Sequence, residues 1–212
     1  MSIADSNFIG AFTLMAGLSA FLQVFLLILM FTVAHHPFGT LSDYFYALTP
    51  LLILPLFLAF RQITGTPPSQ ISIALMLLGI LGILIASFAQ VVLLLKIINF
   101  KQSVWGSSIG MGLIGVPILA LSLVNLGSSQ LPVGFNWTGL ILGTAMLVGI
   151  PGVIFFSDEL HAIGSSSAFN WRSAHSLVYP AVLAGMLTQV GLPVWLFWAA
   201  ALMLSGRLAV IV

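Results

Sequence analysis

Cysteine is absent from this chain. Its absence excludes a disulfide framework, a thiolate metal site, a cysteine nucleophile and palmitoylation. Charge is almost absent as well, with five Lys or Arg and four Asp or Glu in 212 residues and a formal net charge of +1. A soluble domain carries about 25% charged residues. Five plus four charged side chains cannot cover a folded surface of this size. The near-neutral balance also gives no basis for binding nucleic acid. No Lys or Arg precedes the first apolar run, which follows MSIADSNF. That is unlike a secretory leader, so the first segment is expected to stay as a membrane span.

Catalytic motifs are lacking too. Asp158-Glu159-Leu160-His161 is not the HExxH of a zinc protease. Ser165-Ser166-Ser167 follows Gly164 without a GxSxG elbow, so it reads as a serine-rich turn.

What the chain has is apolar sequence: 60% hydrophobic residues and a mean hydropathy of +1.22. A bilayer core of about 30 Å takes about 20 apolar residues per helix. On that ruler the sequence predicts an all-α, polytopic transmembrane helix bundle forming one domain over residues 1–212. Its six spans fall at about 8–34, 44–60, 71–98, 109–126, 136–156 and 177–204, with both termini on the same side. His35-His36-Pro37-Phe38-Gly39 is expected to break the chain after span one. Ser42-Asp43 is expected to cap span two. Lys101 to Ser108 reads as a loop, and 157–175 as the main polar loop. Pro50 and Pro55 within span two are tolerable in a membrane, where neighbours satisfy the freed carbonyls.

Six spans divide the ionisable residues unevenly. One face receives Asp5, Arg61 and Arg207. The other receives His35, His36, Asp43, Lys96, Lys101, Asp158, Glu159, His161, Arg172 and His175, from loops 35–43, 97–108 and 157–175. Proton, metal or anion chemistry would belong to the second face. Lys and Arg divide three to two, with Lys96 arguably inside its span, so orientation stays open. Trp137, Trp195 and Trp198 near the first face, and Trp105, Trp171 and Tyr44 near the second, suit interfacial belts.

The candidate site residues form two groups. The first is the polar cluster His35, His36, Asp43, Asp158, Glu159, His161, Arg172 and His175. His35 or His36 with His175 could ligate a haem or chlorin metal axially. The carboxylates with the imidazoles could hold zinc, manganese or iron. A solvated cap or docking surface explains the same residues without any cofactor. The second group is the intramembrane amides Gln23, Gln90, Asn125 and Gln189, either lining a polar path or bonding helices together. No Asp, Glu, Lys or Arg is expected near the centre of a span, which disfavours an ion-coupled pump. Gly106-xxx-Gly110 and Gly139-xxx-Gly143 permit close helix approach, expected to be internal.

Four short patterns carry a resemblance. They are Pro37-Phe38-Gly39-Thr40-Leu41-Ser42-Asp43; Gln90 with the apolar run to Phe100; Leu131-Pro132-Val133-Gly134-Phe135-Asn136-Trp137; and Gly191-Leu192-Pro193-Val194-Trp195-Leu196. In these the chain resembles a broad group of uncharacterised bacterial six-span membrane proteins. The resemblance implies a bacterial plasma-membrane protein and assigns no activity to any residue. The functional expectation is a non-catalytic accessory, scaffold or ligand-holding subunit, contacting the lipid bilayer and other membrane subunits through helix faces. The alternatives are a small transporter or lipid-handling protein, and a haem- or metal-binding membrane enzyme on the second face.

Overall fold

The computed structural model describes residues 3–33, 35–58, 70–126, 131–165 and 178–206, with the side chains of 3–5, 35–36 and 156–165 left aside. The described chain is all helix, with no strand: α1 (Ile3–Thr32), α2 (His35–Leu58), α3 (Gln70–Leu94), α4 (Phe100–Leu126), α5 (Val133–Ser165) and α6 (Val178–Leu204). All six are long and apolar enough to cross a membrane. They are the helices of an integral multi-pass membrane protein.

Helix boundaries follow local chemistry more closely than hydropathy. α2 begins at His35, not at Ser42. Pro37 fits in its first turn, where the missing N–H had no helical partner to lose. Ser42 is therefore not a cap; its hydroxyl donates across to the Gln23 carbonyl of α1 at 3.2 Å. Asp43 consequently stands about 12 Å into α2 at 1.5 Å per residue. α4 begins at Phe100, so most of the expected loop is helical. The cause is a reciprocal capping pair: the Gln102 N–H donates to Asn99 Oδ1 at 2.9 Å and the Asn99 N–H to Gln102 Oε1 at 3.0 Å. α3 stops at Leu94. Beyond it the Lys96 N–H reaches the Leu93 carbonyl at 2.8 Å and the Ile97 N–H the Val92 carbonyl at 2.9 Å, with Lys96 at φ 59°. That is a Schellman ending with lysine where glycine is usual. α5 continues to Ser165, through Asp158, Glu159 and His161.

The helices form a closed ring. Each packs on its neighbours in sequence, α6 returns to α1, and no other pair of described helices comes together. Neighbours run antiparallel: Gly10 lies against Leu204 and Gly17 against Phe197, while Gly82 faces Gly110 and Gly143 faces Gly115. Glycines set how closely these helices approach. A Cβ on Gly82 would fall 2.5 Å from the Gly110 carbonyl oxygen, and one on Gly143 2.8 Å from that of Gly115. Both GxxxG motifs thus pack internally, Gly106 on Ala89 and Gly139 on Ser122 and Trp195.

One contiguous core joins all six helices. Trp195 belongs to it rather than to an interfacial belt: it is 2% exposed and stacks on Phe135 at 5.3 Å. Trp198 meets the same ring edge-on at 6.0 Å.

Candidate functional site

The core-facing residues of each helix recur at alternating three- and four-residue steps, the spacing of one helical face. In α1 the stripe is Ile9, Thr13, Ala16 and Ala20; in α2, read backwards, Phe57, Ile53, Pro50 and Tyr46. α3 contributes Ile83 and Ala86, α4 Leu121, Ile118, Ile114 and Met111. α5 contributes Leu142 and Met146, α6 Met203, Ala199, Leu196 and Leu192. Each stripe leads, toward the C-termini of α1, α3 and α5 and the N-termini of α2, α4 and α6, to a polar or side-chain-free interruption. One turn further, in the same direction, the six positions are Gln23, Asp43, Gln90, Ser107, Gly149 and Gln189. A polar or side-chain-free residue thus interrupts the stripe on every helix, and on α3, α5 and α6 buried apolar residues follow it, among them Val92, Val153 and Val178. We call this the polar tier.

Two hydrogen bonds tie the tier across seams. Gln23 Nε2 donates to Gln189 Oε1 at 2.7 Å, joining α1 to α6, and Gln90 Nε2 donates to Ser107 Oγ at 2.7 Å, joining α3 to α4. Gln90 is buried, yet its Oε1 has no partner, and neither do the hydroxyls of Ser87 and Ser103 in the same seam. Asp43 has no hydrogen-bond or ion-pair partner among the described residues. It lies three residues from Tyr46 on the core-facing stripe, within electrostatic reach of it.

Beyond the tier burial is uneven among the described residues: Ser103, Val153, Ala181 and Val178 are buried. From Phe21 to Val33, α1 buries Gln23 and nothing else; from Val182 to Val190, α6 buries only Ala184. Gly149 and Gly185 prolong the core-facing stripes of α5 and α6. A Cβ on either would meet no atom within 4 Å. At the end that carries the C-termini of α1, α3 and α5 and the N-termini of α2, α4 and α6, residues 166–177 lie outside the described residues, while the other end is packed with Phe57, Phe135, Trp195 and Leu196. A separate apolar groove of about 460 Å³ between α5 and α6 is lined by Trp137, Ile141, Val148, Leu183 and Leu187. These residues occupy the helix faces opposite Leu142–Met146–Gly149 and Gly185–Gln189–Leu192, so the groove is on the outside of the ring.

The predicted site residues divide accordingly. Gln23, Gln90 and Gln189 fall in the tier. Asn125 does not; it sits at the packed end, donating to the Leu121 carbonyl at 2.8 Å while its own carbonyl accepts from Asn136 at 3.1 Å. Asp43 leaves the loop cluster and stands on α2, in the first third of the span Pro37–Leu58. His35 and His36 open α2, and Asp158, Glu159 and His161 lie in the last turns of α5, all at the end opposite Phe135 and Trp195 by backbone position. Their side chains, and Arg172 and His175 altogether, lie outside the described residues, as do Arg61 and Arg207. Among the described residues no group of three His, Asp or Glu could hold a metal. The hydropathy ruler missed Ser107 and Gly149. Asn99-Phe100-Lys101-Gln102, a capping sequence, was the signal that would have put Ser107 on a helix. No family model, curated protein or solved structure matches this chain.

Proposed function

We propose that this protein holds or transports a ligand, placing a small polar or amphiphilic molecule on the polar tier. The observation that carries this reading is the polar or side-chain-free position that interrupts each of the six core-facing stripes, Gln23, Asp43, Gln90, Ser107, Gly149 and Gln189. In the tier Gln90 keeps an acceptor without a partner, and Asp43 has no partner among the described residues. An ionisable side chain inside a span is costly, and such residues mark substrate or ion paths in membrane proteins. The packed end argues against a continuous pore in this conformation, so transport would require the ring to open there. We assign the protein to the bacterial plasma membrane on the resemblance of its short motifs. A subunit role would use the apolar outer faces of the helices.

The absence of cysteine makes the test direct, because one introduced thiol is the only one. Gly149→Cys, Gly185→Cys and Ile118→Cys are each exposed to a water-soluble maleimide in membranes opened on both faces. The thiolate is the nucleophile, and it forms where water reaches. Labelling at 149 and 185 is expected to be faster than at the core position 118 by about a hundredfold, or more than 2.7 kcal/mol in equivalent barrier. Equally slow labelling at all three positions would remove the proposal.

A further inference from the structure

We infer that the packed end of the bundle binds a water molecule between α4, α5 and α6, held by Trp195 Nε1, Ser122 Oγ and Asn136 Oδ1 beside Gly139. This site is separate from the polar tier and does not depend on it.

Burial sets the requirement. Ser122, Asn136 and Trp195 are 0%, 1% and 2% exposed. Each carries one polar atom without a hydrogen-bond partner among the described residues: the Ser122 hydroxyl, the Asn136 side-chain carbonyl and the Trp195 indole N–H. A buried polar atom left unpaired is costly, and the bilayer interior offers it no bulk water. Three such atoms on three neighbouring helices call for a common partner.

Gly139 brings them together. A Cβ built there would overlap the Ser122 hydroxyl of α4 and stand 3.0 Å from Trp195 Nε1 of α6. Both atoms therefore border the space that a side chain at 139 would take. Asn136 precedes Gly139 by three residues, one turn along the same face of α5. Its Nδ2 donates to the Asn125 carbonyl at 3.1 Å, and Asn125 follows Ser122 by three residues on α4. The Asn136 amide thus lies in the same α4–α5 seam as Ser122.

The three atoms suit one water in kind and in number. An indole N–H only donates, an amide carbonyl only accepts, and a hydroxyl does either. Water can accept from Trp195, donate to Asn136 and use a remaining proton or lone pair for Ser122. That makes about three bonds, as buried waters usually form. An ion of either sign fits less well, because the indole N–H opposes a cation and the amide oxygen an anion. A hydroxyl hydrogen turns toward any acceptor in reach, so the lack of a direct bond from Ser122 to Asn136 reflects where the heavy atoms stand. Gly139 already touches α4 at Ser122, so the helices cannot close further to make that bond. A bridging water spans the difference.

The test uses the full chain in lipid bilayers with isotope-labelled tryptophan. Of the five indole signals, the one missing in Trp195→Phe is that of Trp195. In the unaltered protein the Trp195 indole proton is expected to receive magnetisation from a water resonance. Gly139→Ala, whose methyl group takes the water's place, should abolish the transfer. Ser122→Ala adds no bulk and leaves Trp195 and Asn136 to hold the water, so the transfer should persist at reduced strength. No transfer in the unaltered protein overturns the inference, and undiminished transfer in Gly139→Ala overturns the position given to the water. Complete loss in Ser122→Ala would mean that the hydroxyl relays the signal through a direct bond to Trp195, and it overturns the bridge. If Gly139→Ala does not fold, the unaltered protein and Ser122→Ala still decide the matter.

Discussion

Glycine has two opposite roles in this bundle, and its neighbours distinguish them. At Gly82 a methyl group would meet the backbone of α4, which cannot move aside without separating the two helices. Gly82→Ala is expected to destabilise the protein by about 2 kcal/mol. Gly149 and Gly185 face open space, so alanine there should be neutral or stabilising by up to about 1 kcal/mol through helix propensity alone. Unfolding of the three variants in one detergent checks both statements, and equal losses at all three sites would contradict the difference in their surroundings. Single residues also set the turn between α3 and α4. Lys96 holds a left-handed conformation, so Lys96→Gly should stabilise by about 1 kcal/mol. Asn99→Ala should cost about the same, because it releases the Gln102 N–H from its cap. These local signals were present in the sequence. Asn99 and Gln102 stand at capping spacing, and the cap rather than the hydropathy places Ser107 on a helix.

At the level of elements, each seam pairs small residues with a few hydrogen bonds. α1 and α2 are joined by the Ser42 hydroxyl on the Gln23 carbonyl and by Thr49 donating to Ser19 Oγ at 2.9 Å. α1 and α6 are joined by the two glutamines. Because both Gln23 and Gln189 can find other partners in the unfolded protein within a membrane, their coupling should be modest. A double-mutant cycle with Gln23→Ala and Gln189→Ala is expected to give about 0.6 kcal/mol, and no more than about 1.7. A much larger value would mean that the pair is a structural pin of the seam and not part of a site that must admit a ligand. The amides could be read as intramembrane from hydropathy, since each interrupts an apolar run. Their sorting could not: Gln23, Gln90 and Gln189 share one level and Asn125 another, and that depends on which way each helix runs and how far it is shifted along its neighbour.

The whole molecule is a ring of six helices around one contiguous core. The end packed with Phe57, Phe135, Leu196 and Trp195 gives it stability. The polar tier accounts for function on the reading given above. Gently purified protein is expected to carry a copurifying amphiphile, detectable by native mass spectrometry, and to lose it on exchange into excess detergent. A visible absorption band or stoichiometric metal would instead favour the histidine and carboxylate residues of the second face.

Composition and hydropathy were enough to specify six membrane helices in one bundle, because nine charges cannot solvate such a chain and each apolar run exceeds the bilayer thickness. They also marked a polar face at one end. They could not place Asp43, which looked like a cap beside a helix start and proved to stand inside a helix on its core-facing stripe. Depth, register and the closure of α6 on α1 arise from contacts between residues as distant as Gly10 and Leu204, and these contacts leave no periodic trace within any one helix.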